Sequence, residues 1–353
     1  MLNSIIKEDV ELISKVNLPW KDLANSTILI SGASGMLPAY LIDTLMYVSN
    51  KKNLNIKILA IVRNQMKAKD RFKAYKNSKN LKIIEQDICH EVSFNEKIDY
   101  IVHAASQASP IFYRTDPVGT ILPNVLGTYY LLELAKKNKI KGFLYFSSGE
   151  VYGEVTKKST PTKENMYAYF DHLNFRSCYG QSKKMGETLC AVYMYQFNIP
   201  TKIVRPYHVY GPGMKLNDGR LFSDLIADII QKRDITLWSE GSAIRSFCYL
   251  SDATVGFLSV LLKGNSSEAY NIGNPEATLS VLELANRLIA LFPERNIKMN
   301  KKNRPKSSVY ASSNVEIAYP DVSKAMELGW KPSISIEEGF ARTVRSFNEY
   351  SEL

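Results

Sequence analysis

Cysteine is scarce in this chain: Cys89, Cys178, Cys190 and Cys248 are the four present in 353 residues. None stands in a CxxC spacing, so neither a disulfide framework nor a paired-thiol metal site is indicated. Free thiols in a reducing cytoplasm are the simplest reading. Long apolar runs are also missing. No stretch reaches the length of a membrane span. The opening "MLNSIIKEDVELISKV" carries acidic residues where a signal peptide would carry an apolar block. Acidic residues are outnumbered, 35 Asp and Glu against 45 Lys and Arg, for a net charge of +10. The lysines are scattered, and the basic runs lack the aromatic interleaving of a nucleic-acid platform. The excess therefore suits an enzyme with an anionic substrate better than a nucleic-acid partner. Internal repeats and low-complexity linkers are absent as well.

What is present is rhythm. "TILISG" (27–32), "IKILAIVRN" (56–64), "LKIIEQDI" (81–88), "IDYIVHAAS" (98–106), "GFLYFSSGEVYG" (142–153) and "PTKIVRPYHVYGPG" (200–213) read as strands or strand–loop units. Stretches at helical spacing separate them, among them "LPAYLIDTLMYVSN", "PNVLGTYYLLELAKKNK" (123–139) and "SKKMGETLCAVYMYQF" (182–197). Near-continuous apolar strands alternating with helices predict an α/β fold, a doubly wound parallel sheet covered on both faces. After residue 213 the elements shorten and lose regularity. We expect a helical N-terminal extension (1–25), a dinucleotide-binding unit carrying the catalytic residues (26–213), and a smaller C-terminal lobe (214–353) mainly for substrate. "SEAYNIGN" is the segment expected to return to the main sheet.

A third glycine is lacking in the first strand–helix turn, which reads Gly32-Ala33-Ser34-Gly35-Met36-Leu37-Pro38. A helix N-terminus after a glycine turn offers unpaired N–H groups and a positive dipole end to an anion. Gly32 permits the tight turn and Gly35 a close approach of a pyrophosphate. Pro38 falls in the first helical turn, where its missing N–H costs little. The cofactor set is expected to comprise Gly32, Ser34, Gly35, Met36, Leu37, Asp87, Ile88, Ala104, Ala105 and Ser106. Arg63 and Asn64 end the second strand, where an acid would suit the ribose hydroxyls of NAD. A guanidinium suits a 2′-phosphate, so NADP(H) is favoured, with NAD(H) as the alternative. Asp87 could accept from an adenine amino group or simply cap its strand.

Two further stretches carry chemistry, "SSGEVYG" (147–153) and "CYGQSKKMGET" (178–188). Tyr179 and Lys183, four apart, share a helix face. A lysine beside a tyrosine lowers the cost of the phenolate, which could then exchange a proton at a sugar oxygen while hydride moves. Ser148, at the C-terminal end of a parallel strand, could bond the same oxygen.

With these motifs in this order, the chain resembles the extended short-chain dehydrogenase/reductase family, in the epimerase/dehydratase branch that acts on nucleotide-diphosphate sugars. The resemblance spans roughly residues 26–348. "HAASQASPIFYRTDPVGTILPNVLGTYYLLELAKK" is close to the corresponding run of UDP-glucuronate decarboxylases. "RSCYGQSKKMGET", "RPYHVYGPGMKLNDGRLFSDLI", "IRSFCYLSDATVGFL" and "YPDVSKAMELGWKPSISIEEGF" follow the same branch. The resemblance implies a Rossmann-like sheet with a substrate lobe, and a catalytic set of Ser148, Tyr179 and Lys183, with Asn124 and His208 beside the cofactor. It implies Arg245 at the diphosphate or acidic end of the substrate, Arg220 near the same end, and Ser109 and Tyr113 on the substrate side. Homodimerisation through the two helices "NVLGTYYLLELAKK" and "SKKMGETLCAVYMYQF" is also implied.

The departures bear on the reaction. Dehydratases of this branch carry Thr-Asp-Glu at the fifth strand's end and decarboxylases Thr-Ser-Glu; here the triplet is Ser148-Gly149-Glu150. Gly149 cannot donate a proton, which disfavours dehydration, while Glu150 keeps decarboxylation open. His208 replaces an asparagine and introduces a titratable group, or serves as a hydrogen-bonded structural residue. Reduction of a 4-keto nucleotide sugar, or C4 epimerisation, is therefore expected, in surface polysaccharide or deoxysugar biosynthesis. The alternatives are a decarboxylase-like or dehydratase-like enzyme and, in another class, a non-catalytic dinucleotide sensor.

Overall fold

The computed structural model describes residues 2–302 and 316–350. The first part of the chain runs α1 (Ser4–Lys15), β1 (Thr27–Ser31), α2 (Met36–Lys51), β2 (Lys57–Val62), α3 (Gln65–Arg71), β3 (Leu81–Glu85) and β4 (Tyr100–His103). It continues with α4 (Pro110–Thr115), α5 (Pro117–Leu122), α6 (Thr128–Asn138), β5 (Gly142–Phe146), α7 (Cys178–Phe197) and β6 (Thr201–Pro206). Then follow α8 (Leu221–Ile230), α9 (Leu250–Lys263), α10 (Val281–Leu291), α11 (Ser323–Met326) and α12 (Ile336–Tyr350).

Seven strands form one sheet in the order Glu268–Ile272, β6, β5, β4, β1, β2, β3. Every pairing in it is parallel. The segment "SEAYNIGN" does return to it, as the edge strand Glu268–Ile272 beside β6. Neighbouring residues of one strand enter opposite cores. Ile28 and Ile30 join α1, α2 and α9 on one face, while Leu29 joins α6 and α7 on the other. Tyr100 and Val102 divide from Ile101 in the same way, as do Leu144 and Phe146 from Phe143 and Tyr145. Because both faces are covered, the strands carry no polar alternation. A separate core around Phe222, Ile226, Phe247, Leu284 and Phe340 holds the smaller lobe. Among the described residues no helix is long and apolar enough to cross a membrane.

The sequence suggested one helix over 123–139, and the structure divides it. Pro123–Gly127 is a wide π turn, and only Thr128–Asn138 is regular α-helix. Pro123 has no N–H for the helical ladder. The Asn124 side chain instead donates to the Thr120 carbonyl at 2.9 Å. At Gly127 an added Cβ would lie 2.4 Å from Ile88.

Helix α1 is bound to the other end of the described chain. Asp9, fully buried, accepts from Arg342 Nε at 3.0 Å and from the Tyr249 hydroxyl at 2.7 Å. Asn3 caps α1 and also donates to the Ser346 carbonyl at 3.0 Å. Without Asp9 the buried Tyr249 hydroxyl loses its acceptor, while Arg342 keeps the more exposed Glu8 and Glu338 carboxylates. Asp9→Ala is therefore expected to lower the unfolding free energy by about 2 kcal/mol, read as an earlier midpoint in urea titration.

Candidate active site

A cavity of about 1240 Å³ opens along the carboxyl ends of the strands and reaches into the smaller lobe. At one end lies the glycine turn. Gly32 takes φ +65°, and a Cβ there would sit 2.6 Å from the Ala105 Cα. The turn and the chain leaving β4 are thus in backbone contact, which only glycine allows. Gly35 is the N-cap of α2 and provides no side-chain cap. The first N–H groups of α2 remain available to an anion. Pro38 is buried in the first turn of that helix and lines the cavity without breaking the helix.

At the adenosine end Arg63 is exposed directly after β2. Asn64 caps α3, its Oδ1 accepting from the Lys67 N–H at 2.9 Å. Arg63, Asn64 and Lys67 all line the cavity. Asp87 Oδ1 is engaged by the Cys89 N–H at 2.9 Å. Burial pushes the Asp87 carboxyl up, but the Cys89 bonds and Arg63 outweigh it and hold it below its ordinary value. Asp87 thus acts as a local cap while still facing the cavity.

At the centre β5 ends in Phe146, and the next residues form a short turn, Gly149–Tyr152. Ser148 Oγ accepts from the Glu150 N–H at 3.2 Å. The Ser148 hydroxyl also lies beside the Tyr179 phenol, where it favours the phenolate. Burial, followed by the nearby Glu150 carboxylate, nevertheless raises the phenol above its usual range. Lys183 is 2% exposed, and its Nζ donates to the Phe146 carbonyl at 2.5 Å. It lies 5.0 Å from the Tyr145 ring centroid and 5.9 Å from that of Tyr179. Burial pulls this lysine down to about 7, opposed by Glu187. Tyr113 stacks on Tyr179 with centroids 4.9 Å apart and planes at 16°.

Glu150 faces the open cavity, so water reaches it, while protein surrounds its remaining sides. Burial raises its carboxyl, against the lowering pull of Arg176 and Arg245. Arg176 was not singled out from sequence. It sits three residues before Tyr179, 5.6 Å from the Tyr113 ring centroid, and its Nη1 is buried with no partner among the described residues. The arginine of "FRSCYG" carries no local signal beyond its distance from the tyrosine.

The other sequence candidates gather here with one exception. Ser34, Met36, Leu37, Ile88, Ala104, Ala105, Ser106, Ser109, Tyr113, His208, Arg220 and Arg245 all line the cavity. Asn124 does not. It is fully buried, donating to Thr120 O and to Ser182 Oγ at 3.0 Å, and so braces α7 from behind. Arg220 is held by Asp218, with Nε at 2.8 Å from Oδ2. The Ser109 hydroxyl donates to the Asp218 carbonyl, joining the loop after β4 to the smaller lobe. His208 takes φ +34°. Burial, then Arg245 and Arg220, lower its imidazole to about 3, so the ring is neutral at physiological pH.

Gly149 has a structural cause. A Cβ there would stand 2.8 Å from the Tyr207 ring, and Tyr207 is 4% exposed. The space in which residue 149 would present a side chain is filled by that ring.

The sequence model of the NAD dependent epimerase/dehydratase family matches residues 28–273. UDP-glucuronic acid decarboxylase 6 of Arabidopsis thaliana is 35% identical over 320 residues, covering 90% of this chain and 87% of the relative. Among solved structures, a UDP-glucose 4-epimerase from Thermotoga maritima superposes with a TM-score of 0.79 at 23% identity. That match covers 92% of this chain and 99% of the neighbour. A UDP-glucuronic acid 4-epimerase from Bacillus cereus, in complex with UDP-glucuronic acid and NAD, gives 0.76 at 24% identity, covering 92% and 99%.

Gly32→Ala tests the turn. The Cβ meets the Ala105 backbone and the φ is unfavourable, so NAD(P)H affinity is expected to fall at least about tenfold, roughly 1.4 kcal/mol, in a fluorescence titration.

Proposed function

This chain belongs to the NAD-dependent epimerase/dehydratase family of nucleotide-sugar-modifying enzymes, and from that premise we propose that it moves hydride to or from C4 of a nucleotide-diphosphate sugar, reduction of a 4-keto sugar being the direction the site supports best. The observation that carries this reading is Gly149 beneath the Tyr207 ring. Dehydration needs a proton donor for the departing oxygen, and residue 149 has neither the functional group nor the space for one. Hydride exchange at C4 needs only Ser148, Tyr179 and Lys183, and all three border the cavity.

The residues present fit a nicotinamide dinucleotide. The glycine cradle at Gly32 and the uncapped start of α2 suit a pyrophosphate. When bound, the dinucleotide supplies or accepts hydride at its nicotinamide. Tyr179 donates its phenolic proton to the sugar oxygen during reduction. Ser148 steadies that oxygen by a hydrogen bond. The Lys183 ammonium, itself buried, offsets the charge left on the phenolate. Arg245 and Arg220 hold the anionic end of the substrate. Arg63, with Lys67 beside it, favours NADP(H) over the NAD of the family's name. The exposed apolar side chains Val118, Ile121, Leu122, Tyr129, Met185 and Val192 on α5, α6 and α7 support pairing of two copies through these helices.

A second reading has one specific support. Glu150 lies under the influence of both Arg176 and Arg245, an arrangement that could also serve the decarboxylation named for the Arabidopsis relative.

Two experiments decide. The first incubates the protein with 4-keto dTDP- and UDP-sugars plus NADPH, and separately with UDP-glucuronic acid plus NAD. NADPH oxidation in the first mixture is expected, lost by about a hundredfold or more in Tyr179→Phe with dinucleotide binding retained. Carbon dioxide from the second mixture would establish the decarboxylase reading instead. Turnover unchanged in Tyr179→Phe would remove that residue from the mechanism. The second experiment titrates NADPH against NADH with wild-type protein and Arg63→Asp. Wild type is expected to prefer NADPH about tenfold or more and the variant to lose that preference. Equal affinities in wild type would return the cofactor to NAD.

A further inference from the structure

Outside the cavity lining, the site rests on a buried ion pair. Glu187, one helical turn beyond Lys183 on α7, meets Arg205 of β6 through two bonds, Nε to Oε1 at 2.8 Å and Nη2 to Oε2 at 2.6 Å. Their side chains are 14% and 10% exposed. The same Oε1 accepts the Ser147 hydroxyl at 2.5 Å. Arg205 Nη1 reaches the Tyr152 hydroxyl and the Glu164 carbonyl, each at 2.8 Å. Tyr152 in turn donates to Asn271 Oδ1 on the edge strand at 2.7 Å. Ser147 precedes the Ser148–Gly149–Glu150 triplet and Tyr152 follows it closely, so one ion pair grips the triplet on both flanks.

We propose that Glu187 is a positioning residue for hydride transfer, fixing the strand end that carries Ser148 through Ser147 and setting its negative charge toward the Lys183 ammonium. The inference rests on the reading of Ser148, Tyr179 and Lys183 as the reacting set. Glu187 is the carboxylate that acts on Lys183, and the groups packed nearest that lysine carry no negative charge at neutral pH. Tyr179 and Cys190 on α7, and Tyr145 on β5, are each raised by burial and stay protonated. His103 on β4 is lowered to about 3 by burial and stays neutral. Arg205 and Lys184 are positive, and both interact with Glu187. Glu150 acts on Tyr179 from the turn after β5.

The sign follows. Lys183 sits at about 7, with Glu187 holding it up. Without Glu187 the ammonium loses its proton at lower pH, and the alkaline fall of activity begins earlier. The direct test labels the protein with [ε-13C]lysine and follows the resonance that is missing in Lys183→Met. In Glu187→Gln this signal is expected to titrate roughly half a pH unit or more below wild type. In Glu187→Asp, which keeps the charge, it returns close to the wild-type position. Ser147→Ala removes only the hydrogen bond and should lower kcat about tenfold without moving the alkaline limb. A Glu187→Gln protein that binds dinucleotide and shows the wild-type titration overturns the proposal. Should the lone Arg205 prevent folding, Glu187→Gln combined with Arg205→Met removes both charges; the lysine signal is then expected to shift in the same direction but by less, since a cation leaves with the anion, and no downward shift overturns the proposal. A wild-type protein inert toward every nucleotide sugar would overturn the proposed function, while the lysine titration would still judge Glu187.

Discussion

An ammonium group withdrawn from water governs this site. Lys183 has almost no solvent contact, and an isolated charge in that position would be lost to deprotonation. The surrounding structure supplies what water would have given. The Phe146 carbonyl accepts a hydrogen bond at the very end of β5, aromatic faces lie close by, and a carboxylate stands one turn away. Each of these depends on α7 lying against the sheet at a fixed height. The small residues of that helix make the approach possible. A Cβ on Gly186 would collide with the Tyr145 hydroxyl at 2.1 Å, and one on Gly180 with the Phe170 ring at 2.6 Å. The tyrosine of the YxxxK pair is placed by the same docking, with Tyr113 stacked on it from the opposite strand–helix unit.

Much of this was legible along the chain, because it follows from local rules. Strand runs, the glycine turn and the i, i+4 tyrosine–lysine pair are periodic or positional signals, and the structure brings them to one edge of one sheet. "SEAYNIGN" was legible as a strand-like segment returning to the main sheet, and it does so beside β6. The rest depends on partners distant in sequence. Nothing near Gly149 announces that Tyr207 fills its side-chain space, and nothing near Glu187 announces Arg205. Arg176 acts through Tyr113 and Glu150, which lie on other elements. Asn124 illustrates the converse. Its place in a recognisable helix motif suggested a cofactor contact, yet the π turn forced by Pro123 directs its amide onto Thr120 and Ser182. Pro38 departs from the glycine pattern and costs nothing, since helix geometry at that position needs no N–H.

Charge is distributed unevenly over the cleft. The start of α2, which has no side-chain cap, and the exposed Arg63 lie at one end, and Arg220 and Arg245 lie at the other. Between them the groups that could titrate are largely held in one state. His208 is neutral through burial and its arginine neighbours, and Tyr113 is neutral through burial. Glu150 is the exception, poised between a burial that favours the acid and two guanidiniums that favour the carboxylate. The overall +10 charge therefore has a local counterpart suited to ligands that are anionic at both ends.

The bond between Asp9 and Arg342 also has a bearing on the order in which the protein is made. The two residues are 333 positions apart. At a synthesis rate of about 5–20 residues per second, that separation is roughly twenty seconds to a minute. During that interval α1 has neither Arg342 nor Ser346 to bind, and the Asp9 carboxylate keeps its water. The sheet can assemble strand by strand behind the ribosome, but the clasp that joins α1 to α12 closes only after Arg342 has emerged. Helix α1 can thus lie on α2 early, while its clasp to α12 closes late.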